Sequence, residues 1–400
     1  MRLPHLRHLR KRLAAWLFSP TEFNTPDPAR LLAELGRVPL WNPDPAEAAS
    51  LTGQTVLVTG AAGSIGSELV RQLLRQQPTR LVLLDQAESG LFTLDLALRR
   101  QGLPTEIRIE IADITDETRL TALFRQYRPD QVFHAAAYKH VPLMEDHPYE
   151  ALRVNVLGTR LLARLALAYG TRVFLLISTD KAVRPTTVMG ATKRLAELYL
   201  RQLADDHPLA TRFVISRFGN VLGSSGSVLP VFAEQIRRGG PVTVTHPEVT
   251  RYFMTIPEAC GLVREAARLG RGGEIYTFDM GQPVRVADLA QALIRQSGRR
   301  IPIRYTGLRP GEKLHEELMS PDEQPLPTPH PRIWVSYPGQ SLAPAPDLEA
   351  LLRHLPELLA ASRPGELVRW LEKIVPDYQP ANPRYVHHLP ERSVPITQPV

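Results

Sequence analysis

From residue 55 the chain alternates short aliphatic runs with longer stretches in which apolar residues recur every three or four positions. The runs are TVLVTG (55–60), RLVLLD (80–85), EIRIEIAD (106–113), QVFHAAA (131–137), RVFLLIS (172–178) and RFVISRFG (212–219). They are short and rich in Val, Ile and Leu, as strands buried on both faces are. The stretches between them, such as SELVRQLLRQQ and ALRVNVLGTRLLARLALAYG, set charges opposite their apolar positions and predict amphipathic helices. Strand and helix in alternation predict an α/β fold: a Rossmann-type, doubly wound parallel sheet over 51–222, covered on both faces.

Beyond 222 the rhythm loosens. After GSSGSVLPVFAEQIRRGG and HPEVTRYFMT, PEACGLVREAARLG and VADLAQALIRQ read as helices, and EIYTFDMG as a strand whose residues 275–280 return to the sheet. Residues 223–320 are expected to form a smaller, interleaved α/β substrate lobe over the C-terminal edge of the sheet, where ligands of such folds bind. Of 37 prolines, 16 fall in 321–400, so this stretch is expected to be a Pro-rich C-terminal extension. PDEQPLPTPHP reads as an extended strap over the catalytic lobes, followed by the helix-like DLEALLRHLPELLAA and ELVRWLEKIV and an irregular end from Pro376.

Residues 1–50 read as a basic, irregular segment. Arg2, Arg7, Arg10, Lys11 and Arg12 precede a short apolar run, Leu13 to Phe18, that Pro20 stops. The run is too short for a signal peptide, and no stretch approaches the roughly 18 apolar residues a span needs. A solvated tail and an amphipathic helix on an anionic membrane both fit; the expected location is cytoplasmic, with membrane-peripheral contact open. Composition adds exclusions. Hydrophobic residues at 43% and charged residues at 22% exclude a fibrous or wholly disordered chain. The net charge of +7 suits an anionic partner, but no basic stripe with interleaved aromatics argues for nucleic acid. A lone Cys260 excludes a disulfide framework or a cysteine metal cluster.

The first run opens into Gly60, Gly63 and Gly66, spaced G-x-x-G-x-x-G ahead of a helix, with Ser64 and Ile65 between the last two. Glycine serves there because the backbone turns sharply beside a pyrophosphate that the helix N-terminus then faces. Asp85 ends the second run 19 residues after Gly66, where an acid meets the adenosine ribose, and it would repel a 2′-phosphate. NAD is therefore expected over NADP. Asp113, Ile114 and the small residues Ala135, Ala136 and Ala137 end the next two runs and suit the same cofactor. The fifth run ends in Ser178, Thr179, Asp180 and Lys181, with Lys193 twelve residues beyond Lys181, a candidate catalytic cluster. His134, His140 and His147 lack ligand spacing, and no metal is expected.

Eight ordered stretches, TGAAGSIGSEL, HAAAYKHVPLME, NVLGT, STDKAVRPT, MGATKRLAE, RFGNVLGSSGSV, VTRYFMT and GLRPGEKLHE, carry a resemblance over residues 50–320. The chain resembles the extended short-chain dehydrogenase/reductase superfamily, and within it the CapD-like polysaccharide biosynthesis proteins, which include UDP-N-acetylglucosamine 4,6-dehydratases. The resemblance implies bound NAD, a UDP-sugar substrate and a cytoplasmic catalytic domain. One departure from the superfamily matters: Met189 stands where a catalytic tyrosine would precede Lys193 by one helical turn. Larger, membrane-anchored relatives resemble this chain in that methionine, so the chain looks like a soluble catalytic half standing alone.

By resemblance, Asp180 exchanges protons with the sugar 4-hydroxyl or the departing 6-hydroxyl, Lys181 removes the C5 proton and Thr179 hydrogen-bonds the C4 oxygen. Lys139 and His140 would face the sugar. Asn220, Arg251, Arg309 and Glu312 would hold the diphosphate and ribose diol, for which guanidinium forks and a carboxylate are suited. Related folds pair through two helices from each subunit, so a homo-oligomer is expected. Three functions stay open: the dehydratase, a UDP-sugar 4-epimerase, and a catalytically silent NAD-binding scaffold.

Overall fold

Residues 27–37, 51–337 and 346–386 are described by the computed structural model, and the basic N-terminus lies outside them. Ahead of the sheet, α1 (Pro28–Glu34) is capped by Asp27, whose side chain accepts from Ala29 N. The alternation then runs β1 (Thr55–Thr59), α2 (Ser64–Arg75), β2 (Arg80–Asp85), α3 (Glu88–Arg99), β3 (Glu106–Ile111), α4 (Glu117–Tyr127) and β4 (Gln131–His134). After it come α5 (Val141–Asp146), α6 (Pro148–Leu152), a π-helical turn at Arg153–Gly158, α7 (Thr159–Ala168), β5 (Val173–Ile177), α8 (Val188–Asp206) and β6 (Arg212–Arg217). These six strands pair in parallel in the order 3-2-1-4-5-6, the Rossmann order. Val56, Leu57, Val58 and Leu81 to Leu84 are buried, because helices cover both faces.

β4 stops at His134, short of its apolar run, and Ala135–Ala137 leave the sheet. The cause is a close crossing: Gly60, at φ +67°, packs so tightly that a Cβ would sit 2.6 Å from Ala136 N. The π turn widens its helix around buried Asn155, whose amide accepts from Tyr138 N at 2.9 Å and donates to Tyr138 O at 3.0 Å. π turns favour functional regions, and this one steadies the loop leading to Lys139 and His140.

The second half inserts β7 (Asn220–Leu222), α9 (Val228–Arg237), β8 (Val242–Val244), β9 (Thr250–Arg251), β10 (Phe253–Thr255) and α10 (Ile256–Leu269). β11 (Ile275–Phe278) then joins the main sheet parallel to β6, followed by β12 (Val284–Arg285), α11 (Val286–Gln296) and β13 (Ile303–Tyr305). Leu229, Phe232, Leu289 and Leu293 form the core of this lobe together with Leu31 and Leu32 of α1. A segment expected to be irregular thus contributes a buried helix: ARLLAELG has one apolar face, and only the distant lobe covers it.

The Pro-dense stretch does not only wrap the surface. β15 (Ile333–Tyr337) adds antiparallel to β11 and β14 (Gln324–Pro327) antiparallel to β15, making a nine-stranded sheet. Pro325 and Pro327 are tolerated because β14 is an edge strand, whose outer side needs no N–H donors. Beyond it, α12 (Leu348–Arg353), α13 (Leu355–Ala361), α14 (Pro364–Ile374) and α15 (Pro383–Val386) complete the described chain. Leu352, Leu355, Leu367 and Leu371 share one core with Leu162 of α7 and Leu195 and Tyr199 of α8. Glu349 binds Arg160 of α7 and accepts from Tyr199 Oη at 2.8 Å, locking this cover in place. Among the described residues no helix is long and apolar enough to cross a membrane.

Candidate active site

The glycine loop is closed by its own backbone. Gly63 N donates to Gly60 O at 3.0 Å, and a Cβ on Gly66 would sit 2.0 Å from that same oxygen, so α2 begins directly on the turn. Asp85 braces it from β2: Oδ2 accepts from Ala62 N at 2.9 Å and Oδ1 from Ala87 N at 3.0 Å. Each oxygen keeps a lone pair for a hydroxyl. The cradle fits a dinucleotide, with α2's N-terminal N–H groups free of side-chain caps. Asp113 is engaged locally, accepting from Thr115 N and Oγ1, both at 2.9 Å, and from Arg153 Nη1 at 3.0 Å. Burial raises its pKa, but those bonds and the guanidinium together hold it below the usual carboxylate range.

Beyond β5 the chain makes a single 3-10 turn, Asp180–Ala182, stitched to the β6 segment by Ser178 N to Ser216 O at 2.7 Å and Asp180 N to Phe218 O at 3.1 Å. Asp180 is fully buried. Its Oδ1 accepts from Thr179 Oγ1 and Lys181 Nζ, both at 2.9 Å, while Oδ2 has no partner. An unpaired buried carboxylate oxygen costs stability, on the order of 1–3 kcal/mol, and marks a place where a donor from outside is needed. Lys181 Nζ also lies 3.7 Å from Glu316 Oε1. Burial alone would lower its pKa; Asp180 and Glu316 outweigh that and hold the ammonium above the usual lysine range.

α8 starts beside this turn, and Gly190 makes the approach possible: a Cβ there would sit 2.2 Å from Lys181 O. Met189, Lys193 and Glu197 follow one turn apart on one face of the helix, and all three are buried. Burial pushes the Lys193 pKa down to about 8, against a smaller pull upward from Glu197. Glu197 accepts from Ser178 Oγ and pairs with Arg217, whose Nη1 reaches Glu323 of the Pro-dense stretch at 2.7 Å. His134 is a core histidine, its ring nitrogens 2.7 Å from Thr59 Oγ1 and 2.8 Å from Thr159 Oγ1, with a pKa lowered to about 3 by burial and Lys193.

Lys139, His140, Lys181, Arg251, Arg309 and Glu312 line one cleft of about 210 Å³. Thr179, Asp180, Met189, Lys193 and Asn220 are not on its wall. Asn220 pairs β7 with the β10 segment through its N and Tyr252 O at 3.0 Å, and its buried Nδ2 has no partner. Arg251 and Glu312 meet each other, Nη2 to Oε1 at 3.0 Å, rather than standing apart for separate ligand groups. Arg251 also donates to Thr250 O and Leu314 O, and Glu312 Oε2 accepts from Arg309 N at 3.1 Å, so the pair shapes the loop that carries Arg309. Burial lowers the pKa of Lys139; burial, then the Lys139 charge, does the same for His140.

Sequence reasoning passed over Lys313 and Glu316, which line this cleft, and Gly190. The first two lie in the GEKLHE stretch, and a glycine inside an otherwise helical pattern was the available signal for the third. With Lys139, Lys181, Arg251, Arg309 and Lys313 against Glu312 and Glu316, the cleft carries a cationic surplus suited to a polyanion.

The strand order, the glycine cradle and a lysine on the helix after β5 together define an extended short-chain dehydrogenase/reductase. Within that class, the profile described as "Polysaccharide biosynthesis protein" matches residues 56–338, and the chain belongs to that family. It is 51% identical over 277 residues to the capsular polysaccharide biosynthesis protein CapD of Staphylococcus aureus, covering 68% of this chain and 46% of that one. The chain therefore spans about half the length of that relative. A UDP-glucose 4-epimerase of Rickettsia typhi is 32% identical over 279 residues, 68% of this chain and 79% of that one. Among solved structures, Pen from Bacillus thuringiensis superposes with a TM-score of 0.67 at 33% identity, over 71% of this chain and 89% of that chain.

Proposed function

We propose that the protein is an NAD-dependent 4,6-dehydratase of a UDP-N-acetylhexosamine, with UDP-N-acetylglucosamine the first candidate, acting in polysaccharide biosynthesis. The observation that carries this reading is the Thr179–Asp180–Lys181 turn, where buried Asp180, its Oδ2 unpartnered, holds through Oδ1 the ammonium of Lys181, which lines the cationic cleft. Gly60, Gly63, Ser64, Ile65 and Gly66 would receive the pyrophosphate, Asp85 the adenosine ribose and Lys193 the nicotinamide ribose, with Ile114 and Ala135–Ala137 along the nucleotide. Bound NAD supplies a reversible hydride acceptor for sugar C4.

The protein's own groups move the protons. Asp180 Oδ2 takes the 4-hydroxyl proton as C4 is oxidised, and the Thr179 hydroxyl turns from Asp180 to the new C4 oxygen. Neutralising Asp180 removes one of the two carboxylates that hold the Lys181 proton, which readies Lys181 as a base. Lys181 then takes the C5 proton, made acidic by the adjacent ketone, while Asp180 returns its proton to the departing 6-hydroxyl, and water leaves. With the hydride that NAD would give back at C6, proton return from Lys181 to C5 would yield a 4-keto-6-deoxy sugar. The Lys139, Arg251 and Arg309 cations hold the diphosphate.

The test is mass spectrometry after incubation with UDP-N-acetylglucosamine: the product should be lighter by one water, and Asp180→Asn or Lys181→Ala should abolish it. Absence of that product from a panel of UDP-hexoses overturns the reading. One observation favours a 4-epimerase instead: Lys181 is held protonated between two carboxylates, which an enzyme without a C5 base can accept. Inversion at C4 in deuterated water without deuterium at C5 would select it.

A further inference from the structure

The family match ends at residue 338, yet a later segment backs a loop that lines the cleft. Gln379 N donates to Pro185 O at 3.0 Å and Ala381 N to Thr186 O at 3.1 Å, so the end of the described chain lies along the loop before α8. Thr186 and Thr187 line the cleft. Thr186 Oγ1 donates to Gly311 O at 2.8 Å, and a Cβ on Gly311 would meet Thr187 Cγ2 at 2.7 Å, so this loop in turn carries the one holding Arg309 and Glu312.

A second line of contacts reaches the helix itself. Asn382 Nδ2 donates to Glu145 Oε2 at 2.9 Å, and Tyr385 Oη to Glu145 O at 2.6 Å. Glu145 Oε1 accepts from Val188 N at 2.7 Å, the first N–H of α8. A carboxylate at a helix N-terminus is favourable, but this one is buried, and burial raises its pKa. Asn382 supplies a second donor to it. Without that donor Glu145 either takes up a proton, which weakens its bond to Val188 N, or turns out of the core, which breaks it; either way the anchor of the first turn of α8 is loosened. That turn abuts Lys181 O at Gly190 and carries Met189.

We propose that residues 377–385 form a clamp that completes the substrate cleft, with Asn382 as its positioning residue. The catalytic unit therefore extends past the family match to about residue 386. Ala381 and Pro383 also line a groove that shares Thr186, Arg309 and Lys313 with the cleft. The inference rests on the reading that this cleft takes a nucleotide diphosphate.

The experiment uses the full chain as wild type, Asn382→Leu and Asn382→Asp. In Asn382→Leu, amide exchange at 186–190 should quicken by about tenfold, as the loss of one buried hydrogen bond allows, while exchange in β1 to β3 stays unchanged. Affinity for UDP, by calorimetry, should fall by about tenfold, with affinity for NAD altered less than about twofold. Asn382→Asp should behave like the leucine variant near pH 8 and recover toward about pH 5, where a protonated carboxyl can again donate to Glu145. The charged and titratable groups facing Glu145 are Asp146, Arg384, Tyr378 and Tyr385, all retained in both variants. Unchanged exchange at 186–190, exchange that quickens throughout the sheet, or no recovery of Asn382→Asp at low pH overturns the clamp. Failure of wild type to bind UDP refutes the substrate reading instead, and the exchange data still decide the clamp.

Discussion

Replacing Lys193 by methionine keeps an unbranched chain of similar length in the same buried place and deletes the ammonium. In the folded protein burial pushes this group's pKa down from 10.5 to about 8, the Glu197 carboxylate offsetting only part of the cost. A shift of about 2.5 units corresponds to about 3 kcal/mol of native-state destabilisation. Below pH 8 both the folded and unfolded chains carry the proton, and the folded state bears the whole cost. Between about pH 8 and 10.5 the unfolded chain retains a proton that the native state has lost, so stability rises with pH. Above that window the cost is gone. Lys193→Met should therefore be more stable than wild type by about 3 kcal/mol at neutral pH, and the gap should close as pH rises through the window. Urea midpoints for both proteins, from about pH 7 to about 10.5, measure it; other titrating groups cancel in the difference. Curves that stay parallel, or a gap that widens with pH, refute the reasoning. On the proposed reading, in which Lys193 holds the nicotinamide ribose, the variant should also lose turnover.

Gly66→Ala places a Cβ 2.0 Å from Gly60 O, a backbone atom that cannot swing away. It should cost about 1–3 kcal/mol in urea unfolding and at least about tenfold in NAD affinity by fluorescence titration, and unaltered NAD affinity would contradict the cradle. Glu323→Gln removes one of two carboxylates from Arg217, which is 1% exposed and stays paired with Glu197, so about 1–3 kcal/mol of stability should be lost. A loss under about 1 kcal/mol would mean that the Pro-dense stretch only drapes over the sheet.

What could be read in the sequence followed how far each cause acts along the chain. β1, β2 and β4 to β6 were legible because strands covered on both faces need uninterrupted apolar runs, and edge strand β3 because its isoleucines alternate with charges. α1 was not, since its short apolar face becomes a core only against α11 and β10 of the lobe. β14 was obscured by Pro325 and Pro327, which forbid a central strand and permit an edge one. In the site, Thr179, Asp180 and Lys181 announce themselves by adjacency at a strand end. Glu316 acquires its part only by folding to within 3.7 Å of Lys181 and 3.9 Å of Arg251, which no local pattern encodes. Arg217 and Glu323, 106 residues apart, are illegible for the same reason.

Met189 is where local and long-range causes meet. At a position where the superfamily places a proton-accepting phenol, the thioether is 4% exposed and packed into the core of α7 and α8, so it is a packing residue and takes no proton. On the proposed reading the base has moved across to the turn that α8 abuts, where Asp180 Oδ2 lacks a partner. That displacement brings Asp180 to Lys181, and a carboxylate beside an amine can trade one proton for another within a single turn of chain. A lone tyrosine on α8 would offer one proton acceptor for C4. The Asp180–Lys181 pair offers two groups whose protonation is coupled, which is what removal of a proton from C5 and delivery of another to the C6 oxygen require.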